Sequence, residues 1–226
     1  MPVPTPKLDD DCLILTGPTA SGKTAVAMQM AERLDAEILS VDSVSVYRGL
    51  DIGSAKPTAA ERARVPHHLI DLVEPAAPFS VANWLAAAAD AIADCRRRGK
   101  RILLVGGTPL YLRCLRDGLD ELPPGDPAIR ARLLAEAEAE GNEPLYRRLL
   151  ARAPAMAATI HPHDTKRIIR GLEIAEVTGS QPDRSWDSSA AERPTAFACP
   201  VLVLDLPRRL LAERIERRAE AMFAHG

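Results

Sequence analysis

The stretch GPTASGKT, residues 17 to 24, restricts the possible folds of this chain more than any other. It follows a short apolar run, CLILT, and opens into AVAMQMAERL, so the order is strand, glycine loop, helix. Gly17, four residues, then Gly22, Lys23 and Thr24 is the spacing of a phosphate-binding P-loop. Glycine-rich backbone lets successive N–H groups converge on phosphate oxygens, and the helix that follows adds the positive end of its dipole. The expected cradle is Gly17, Pro18, Thr19, Ala20, Ser21, Gly22, Lys23 and Thr24. Lys23 would neutralise charge there and the Thr24 hydroxyl would ligate Mg2+. A nucleoside triphosphate fits such a loop, and so does any molecule carrying a diphosphate.

The rest of the chain has the rhythm of a wound α/β sheet. Four apolar runs read as buried parallel strands: Leu13–Thr16, Glu37–Val41, Ile102–Val105 and Val201–Leu204. Helical patterns separate the first three. One runs from Thr24 to Leu34. A second begins near Thr58, where TAAE has capping-box spacing. A third, NWLAAAADAIADCRRR, puts Trp84, Ala88, Ile92 and Cys95 on one face and stops at Gly99; its basic end, Arg96 to Arg98, complements the helix dipole.

After ELPPGDP the character changes, and from Asp126 to Gly179 the pattern is helical throughout. Asp126-Pro127 opens one helix that Gly141 ends, Asn142 caps a second, and Asp164 caps a third that ends at Gly179. Residues 180–196 read as a polar loop, after which PVLVLDL returns to strand and PRRLLAERIERRAEAMF to helix. The expected architecture is α/β: a P-loop NTPase-like parallel-sheet core over residues 1–122, an all-helical insertion over 123–185, and a return to the core over 186–226.

Composition narrows the function classes. With a net charge of −2, any nucleic-acid partner must be met by a local basic patch, not by overall charge. The four cysteines are scattered with no CxxC pair, which points to buried or free thiols in a reducing compartment and away from disulfides or zinc. The opening MPVPTPKLDDD lacks the apolar core of a signal peptide and reads as a loosely packed arm. No apolar run approaches the roughly 20 residues of a membrane span, so a cytoplasmic location and no membrane partner are expected.

Three further features carry chemistry. Asp42 lies just beyond the carboxyl end of the second strand, where α/β sheets place catalytic groups. Its carboxylate suits a Mg2+ ligand, a general base or a turn-forming side chain. The strand ILLV runs straight into GGTPLY, with no acid where nucleotide hydrolases carry a Walker-B aspartate. A Gly-Gly-Thr turn instead offers N–H groups and a hydroxyl to an oxygen leaving group, which weakens an ATPase or motor reading and leaves a small-molecule kinase open. Finally, HPHDTKRIIRGLEI crowds Lys166, Arg167 and Arg170 into the first turns of a helix, with Ile168, Ile169 and Leu172 on its apolar side. Cations are poorly placed at a helix N-terminus unless an anion such as a nucleic-acid backbone approaches. Local pairing with Asp164 and Glu173 is the alternative. His161 and His163 read as turn or phosphate-contact residues.

Taken in order, GPTASGKT, SVDSVSVYRGLDIGSAKP, VPHHLIDLVEP, ILLVGGTPLYLRCL and HPHDTKRIIRGLEI resemble the bacterial tRNA dimethylallyltransferase family, from Leu13 to the chain end. The resemblance implies transfer of a dimethylallyl group from dimethylallyl diphosphate to the exocyclic N6 amine of the adenosine at position 37, beside the anticodon, with release of diphosphate. The P-loop would then hold that diphosphate, with Thr24 near Mg2+. The resemblance makes Asp42 the general base and places the Thr108 hydroxyl on the oxygen joining allyl carbon to diphosphate. Arg218 would touch the diphosphate. Contacts to tRNA would come from Asp42, Ser43, Val44, Ser45, Thr108, Arg130, Lys166, Arg167, Ile168, Ile169 and Arg170, with the helical insertion gripping the anticodon stem-loop. Relatives often carry Met at position 109, where this chain has Pro. The family also continues beyond this chain's end, so the 226-residue chain, expected as a monomer, should bind tRNA weakly and turn over poorly. Two rivals stand beside this reading: a P-loop kinase with residues 120–185 as a lid, and an RNA-binding remnant without transfer activity.

Overall fold

The computed structural model describes residues 5–119, 122–179 and 199–225. In chain order the elements are β1 (Cys12–Thr16), α1 (Lys23–Leu34), β2 (Ala36–Val41), α2 (Ala59–Arg64), β3 (His67–His68), α3 (Val81–Arg97), β4 (Arg101–Gly106), α4 (Pro109–Asp117), α5 (Pro127–Glu140), α6 (Asn142–Arg152), α7 (Pro154–Ala157), α8 (Thr165–Thr178), β5 (Val201–Val203) and α9 (Arg208–His225). They fall into two compact units, one within residues 1–119 and 195–226, the other within 120–194.

The first unit is a parallel sheet in the order β3-β2-β4-β1-β5. Its inner strands are mostly apolar because helices cover both faces, with Glu37 the buried exception in β2. Alternation survives only in which face each residue serves. Ile102 and Leu104 of β4 join Trp84, Leu85 and Ile92 of α3 and Leu115 of α4, while Leu103 between them joins Ala27, Met28 and Ala31 of α1. β2 splits the same way, with Leu39 on the α3 side and Ile38 on the α1 side. Trp84 also stacks on Tyr111 of α4, ring centroids 4.5 Å apart. The capping box at Thr58 and Glu61 is present, with Thr58 N–H donating to the Glu61 carboxylate at 2.7 Å.

Several local expectations need correction. The opening segment is not loose over its described part: Leu8 is buried in the core, and Arg96 reaches back to Asp11 at 2.6 Å. Arg98 closes on Glu37, so the basic end of α3 is ion-paired and does more than complement a dipole. Glu37 is a buried acid that also meets His68 Nε2 at 2.7 Å and the Cys95 thiol at 3.4 Å. Metal-ligating atoms of Glu37, His68 and Cys95 lie within 4.8 Å of one another, but the Arg98 guanidinium takes both carboxylate oxygens. The helix α4 and the two-residue strand β3 were not expected; β3 is too short to leave an apolar run.

The second unit is helical throughout its described residues. Leu133 of α5, Leu145 and Leu149 of α6, Met156 of α7, and Ile168 and Leu172 of α8 form its core. α6 and α8 approach closely at Gly171, where an added Cβ would lie 2.9 Å from a Leu149 methyl. Gly141, not Asn142, is the cap residue of α6; the Asn142 side chain instead accepts from the Thr165 hydroxyl at 2.9 Å. Pro154 breaks what reads as one helical run and starts the single-turn α7. The polar loop expected over residues 180–196 lies outside the described residues.

Candidate active site

The P-loop joins β1 to α1 through backbone that only small residues tolerate. Gly17 has φ of 149°, and a Cβ there would sit 2.4 Å from the Leu204 carbonyl just beyond β5. Ala20 and Gly22 take left-handed φ values of 62° and 94°. Lys23 folds back over the loop and donates to the carbonyls of Gly17 and Pro18 at 2.8 and 2.7 Å. Burial, then the charge of Arg218, pulls the Lys23 pKa below its usual value, against the opposing pull of Asp42. Thr24 is exposed in the first turn of α1, whose leading N–H groups have no intrahelical acceptor. The Ser21 hydroxyl is buried with no partner among the described residues. The loop thus carries several donors not committed to the fold.

Asp42 follows β2, half-buried. Its Oδ1 accepts from the N–H groups of Val44 at 2.7 Å and Ser45 at 3.0 Å, while Oδ2 has no hydrogen-bond partner among the described residues. The turn reading and the base reading therefore coexist: one oxygen fixes the loop and the other is free to act. Thr108 ends the Gly-Gly-Thr turn after β4. A Cβ on Gly106 would lie 2.1 Å from the Val41 carbonyl, and one on Gly107 3.0 Å from the Gly17 carbonyl. The turn is pressed between the end of β2 and the P-loop for that reason. The Thr108 hydroxyl oxygen accepts from Ser43 N–H at 3.2 Å, which leaves its proton to donate elsewhere.

On α9, Arg214 and Arg218 are one turn apart and half-buried, and neither has an acidic partner among the described residues. Arg214 Nη1 comes within 3.8 Å of where a Cβ on Gly22 would be. The P-loop, Asp42, Ser43, Thr108 and both arginines line one cleft of about 830 Å³. Ile38, Ala55, Pro57, Ile70 and Val105 give it an apolar part, and its acids are Asp42 and Glu61. The sequence drew attention to the Gly-Gly-Thr turn, and the family resemblance to Arg218, but neither pointed to Arg214. The spacing of four between the two arginines is the helical period and was the available signal.

Of the residues expected at tRNA, Ser43 and Val44 are exposed, but Ser45 is buried. In the helical unit Ile168 and Ile169 are 0% and 8% exposed; their side chains belong to the core, not to a binding face. Arg130 and Arg170 both close on the buried Glu173, and Arg167 reaches Asp164 at 3.5 Å, so local pairing holds for these three. Lys166 is exposed with no acidic partner among the described residues. The His161 and His163 rings lie 5.3 Å apart, tilted by 46°, in the turn before α8.

The IPP transferase family matches residues 45–226, and the isopentenyl transferase family residues 11–70. The chain is 47% identical to a tRNA dimethylallyltransferase of Geobacter metallireducens over 95% of its own length and 69% of that protein's. It is similar to the crystal structure of a full-length tRNA isopentenylpyrophosphate transferase from Bacillus halodurans, with 38% identity, TM-score 0.59, and 95% and 66% of the two chains covered. A eukaryotic dimethylallyltransferase acting on tRNA is 26% identical with TM-score 0.77, over 97% of this chain and 54% of that one. The chain thus spans about two thirds of its bacterial relatives. Among the described residues no helix is long and apolar enough to cross a membrane.

Proposed function

Because this chain belongs to the tRNA dimethylallyltransferase family, whose members transfer a dimethylallyl group to adenosine 37 of tRNA, we propose that its cleft performs that transfer with the residues described above. The observation that carries the reading is the meeting of glycine loop, carboxylate and hydroxyl in one cleft, joined by the bond from Ser43 N–H to Thr108.

The diphosphate lies on the N–H groups of residues 19–24, with Lys23 exchanging its carbonyl partners for phosphate oxygens. Arg218 and Arg214 reach the same anion from α9. The apolar stretch at Ile38, Ala55, Pro57, Ile70 and Val105 shelters the prenyl tail from water. In the reaction the N6 lone pair of an extruded adenine attacks C1 of the dimethylallyl group. The C1–O bond breaks and its electron pair leaves on the diphosphate, which Thr108 stabilises by donating to the bridging oxygen. Asp42 takes the N6 proton on its free oxygen. The exposed Thr24 hydroxyl in the cleft lining would help hold a Mg2+ ion, which would supply charge neutralisation to the leaving group. Ser43 and Val44 flank the entering base, and Lys166, with the outer edges of Arg130, Arg167 and Arg170, meets the backbone of the anticodon stem-loop. The protein works as a cytoplasmic monomer.

Labelled dimethylallyl diphosphate, Mg2+ and unmodified tRNA, with and without ATP, test the proposal. ATP-independent label on the tRNA is expected; ATP consumption without label identifies a kinase, and tRNA binding without label an inactive remnant. Asp42→Asn should lower transfer about 10²–10⁴-fold while diphosphate binding stays almost intact. Unchanged transfer would reduce Asp42 to a turn former.

A further inference from the structure

Beyond β2 the chain makes a long excursion over residues 42–58 before α2, and one side chain sits at its centre. Lys56 is a buried lysine, its side chain 1% exposed. Its ammonium donates to the Tyr47 carbonyl at 2.5 Å, Asp51 Oδ1 at 2.8 Å and Asp71 Oδ1 at 2.7 Å, which uses all three donors. Arg62 holds the other oxygen of Asp71 at 2.7 Å and the Pro57 carbonyl at 2.9 Å. Burial alone would lower the lysine's pKa, but the two carboxylates hold it above its usual value.

The cluster leads back to Asp42 by three successive bonds. Lys56 grips the Asp71 carboxylate; the Asp71 N–H donates to the Ser45 carbonyl at 3.0 Å; the Ser45 N–H donates to Asp42 Oδ1 at 3.0 Å. Two further bonds, from Leu72 and Val73 N–H to the Val46 carbonyl, run beside this path. The backbone around the cluster is strained. Ala55, Leu69 and Asp71 have φ of 48°, 64° and 55°, three of the five non-glycine residues with positive φ among those described. Such conformations persist only where surrounding contacts enforce them, typically near functional sites.

We propose that Lys56, with Asp71, is a positioning clasp that fixes the turn holding Asp42 and so aims the free carboxylate oxygen at the reacting amine. This rests on the proposed role of Asp42. A lysine buried only for stability would need carboxylate partners, but not partners whose backbone leads to the Asp42 turn.

The test measures amide hydrogen exchange, binding of inorganic diphosphate with Mg2+, and transfer kinetics on the 226-residue chain, for wild type, Lys56→Met, Lys56→Arg and Asp71→Asn. Exchange at the Val44 and Ser45 amides should accelerate about tenfold or more in Lys56→Met and Asp71→Asn, with α1 and β4 unchanged. Diphosphate affinity should hold, and kcat should fall about 10²-fold while KM for dimethylallyl diphosphate moves less than about threefold. Lys56→Arg, which keeps the charge, should recover part of both. Asp71→Asn preserves shape, so it decides the matter if Lys56→Met does not fold. Unaltered exchange at Ser45 overturns the clasp, and so does accelerated exchange with undiminished kcat. A wild-type chain that labels no tRNA refutes the functional reading instead, and the exchange measurement still judges the clasp.

Discussion

In the helical unit Arg130 and Arg170 close on Glu173, Arg132 and Arg148 share Glu136, and Arg167 reaches Asp164; in the α/β unit Arg214 and Arg218 line the cleft of the glycine loop with no carboxylate partner among the described residues. Lys23 likewise has only backbone carbonyls. Paired cations are part of the scaffold, because separating them strands a charge. Cations held half-buried beside unused N–H groups have no structural reason to be there and suit an anion that arrives later. The cations around the glycine loop and the paired cations of the helical unit therefore serve different ends.

The sharpest way to break this contrast is at Glu173, which is 0% exposed. Arg130→Met combined with Arg170→Met leaves that carboxylate without a cation and should destabilise the helical unit by about 3–5 kcal/mol. Urea unfolding would report it, and diphosphate binding should survive. Full stability, with tRNA affinity alone reduced, would mean that these arginines serve only RNA and add nothing to the scaffold, and the contrast fails.

Next comes Lys23→Ala, expected to cost about 3 kcal/mol in transfer, or 10²–10³ in rate, with little effect on melting temperature. Thr108→Val should behave similarly if its proton reaches the leaving oxygen, and a fall in melting temperature without a rate effect would contradict that.

A third measurement uses a paired acid within the α/β unit itself. Arg98, then His68 and Cys95, outweigh burial to hold the Glu37 carboxyl at about 2, below its ordinary 4.5. The folded state therefore binds fewer protons, so this stabilisation is complete above 4.5 and fades as pH falls toward about 2. Arg98→Met should flatten that part of the acid-melting profile, and an unchanged profile would count against the pair. The smallest effect is expected at Lys166→Ala: the slope of log affinity for tRNA against log salt should shrink by about one unit or less. An unaltered slope would remove Lys166 from the RNA face.

Much of the fold was legible because sheet burial leaves a simple imprint. Strands covered on both faces are mostly apolar, and Thr58, Asp126 and Asp164 mark helix starts by the chemistry of caps. The P-loop and Asp42 were legible through position: both sit where strands of a parallel sheet deliver their carboxyl ends. Less could be read where contacts join distant segments. β3 spans two residues and has no period to detect. Pro109 and the arginines of α4 interrupt its apolar stripe. Ile168 and Ile169 stand among basic residues, and only the packing of α5, α6 and α8 assigns them to the core. Lys56 looks like an ordinary loop lysine until Asp51 and Asp71 are brought beside it.

The close approach of Gly17 to the Leu204 carbonyl has a temporal consequence. β5 pairs with β1, and Leu204 N–H donates to Thr16 at 2.8 Å, so the backdrop of the glycine loop comes from the far side of the helical unit in sequence. A nascent chain that has just released β4 from the ribosome owns the loop sequence but not the strand it rests on. About a hundred more residues, at roughly 5–20 per second, must be synthesised before that strand exists. During those seconds the growing polypeptide has no finished seat for an anion, and competence to bind one arrives only after β5 has been made.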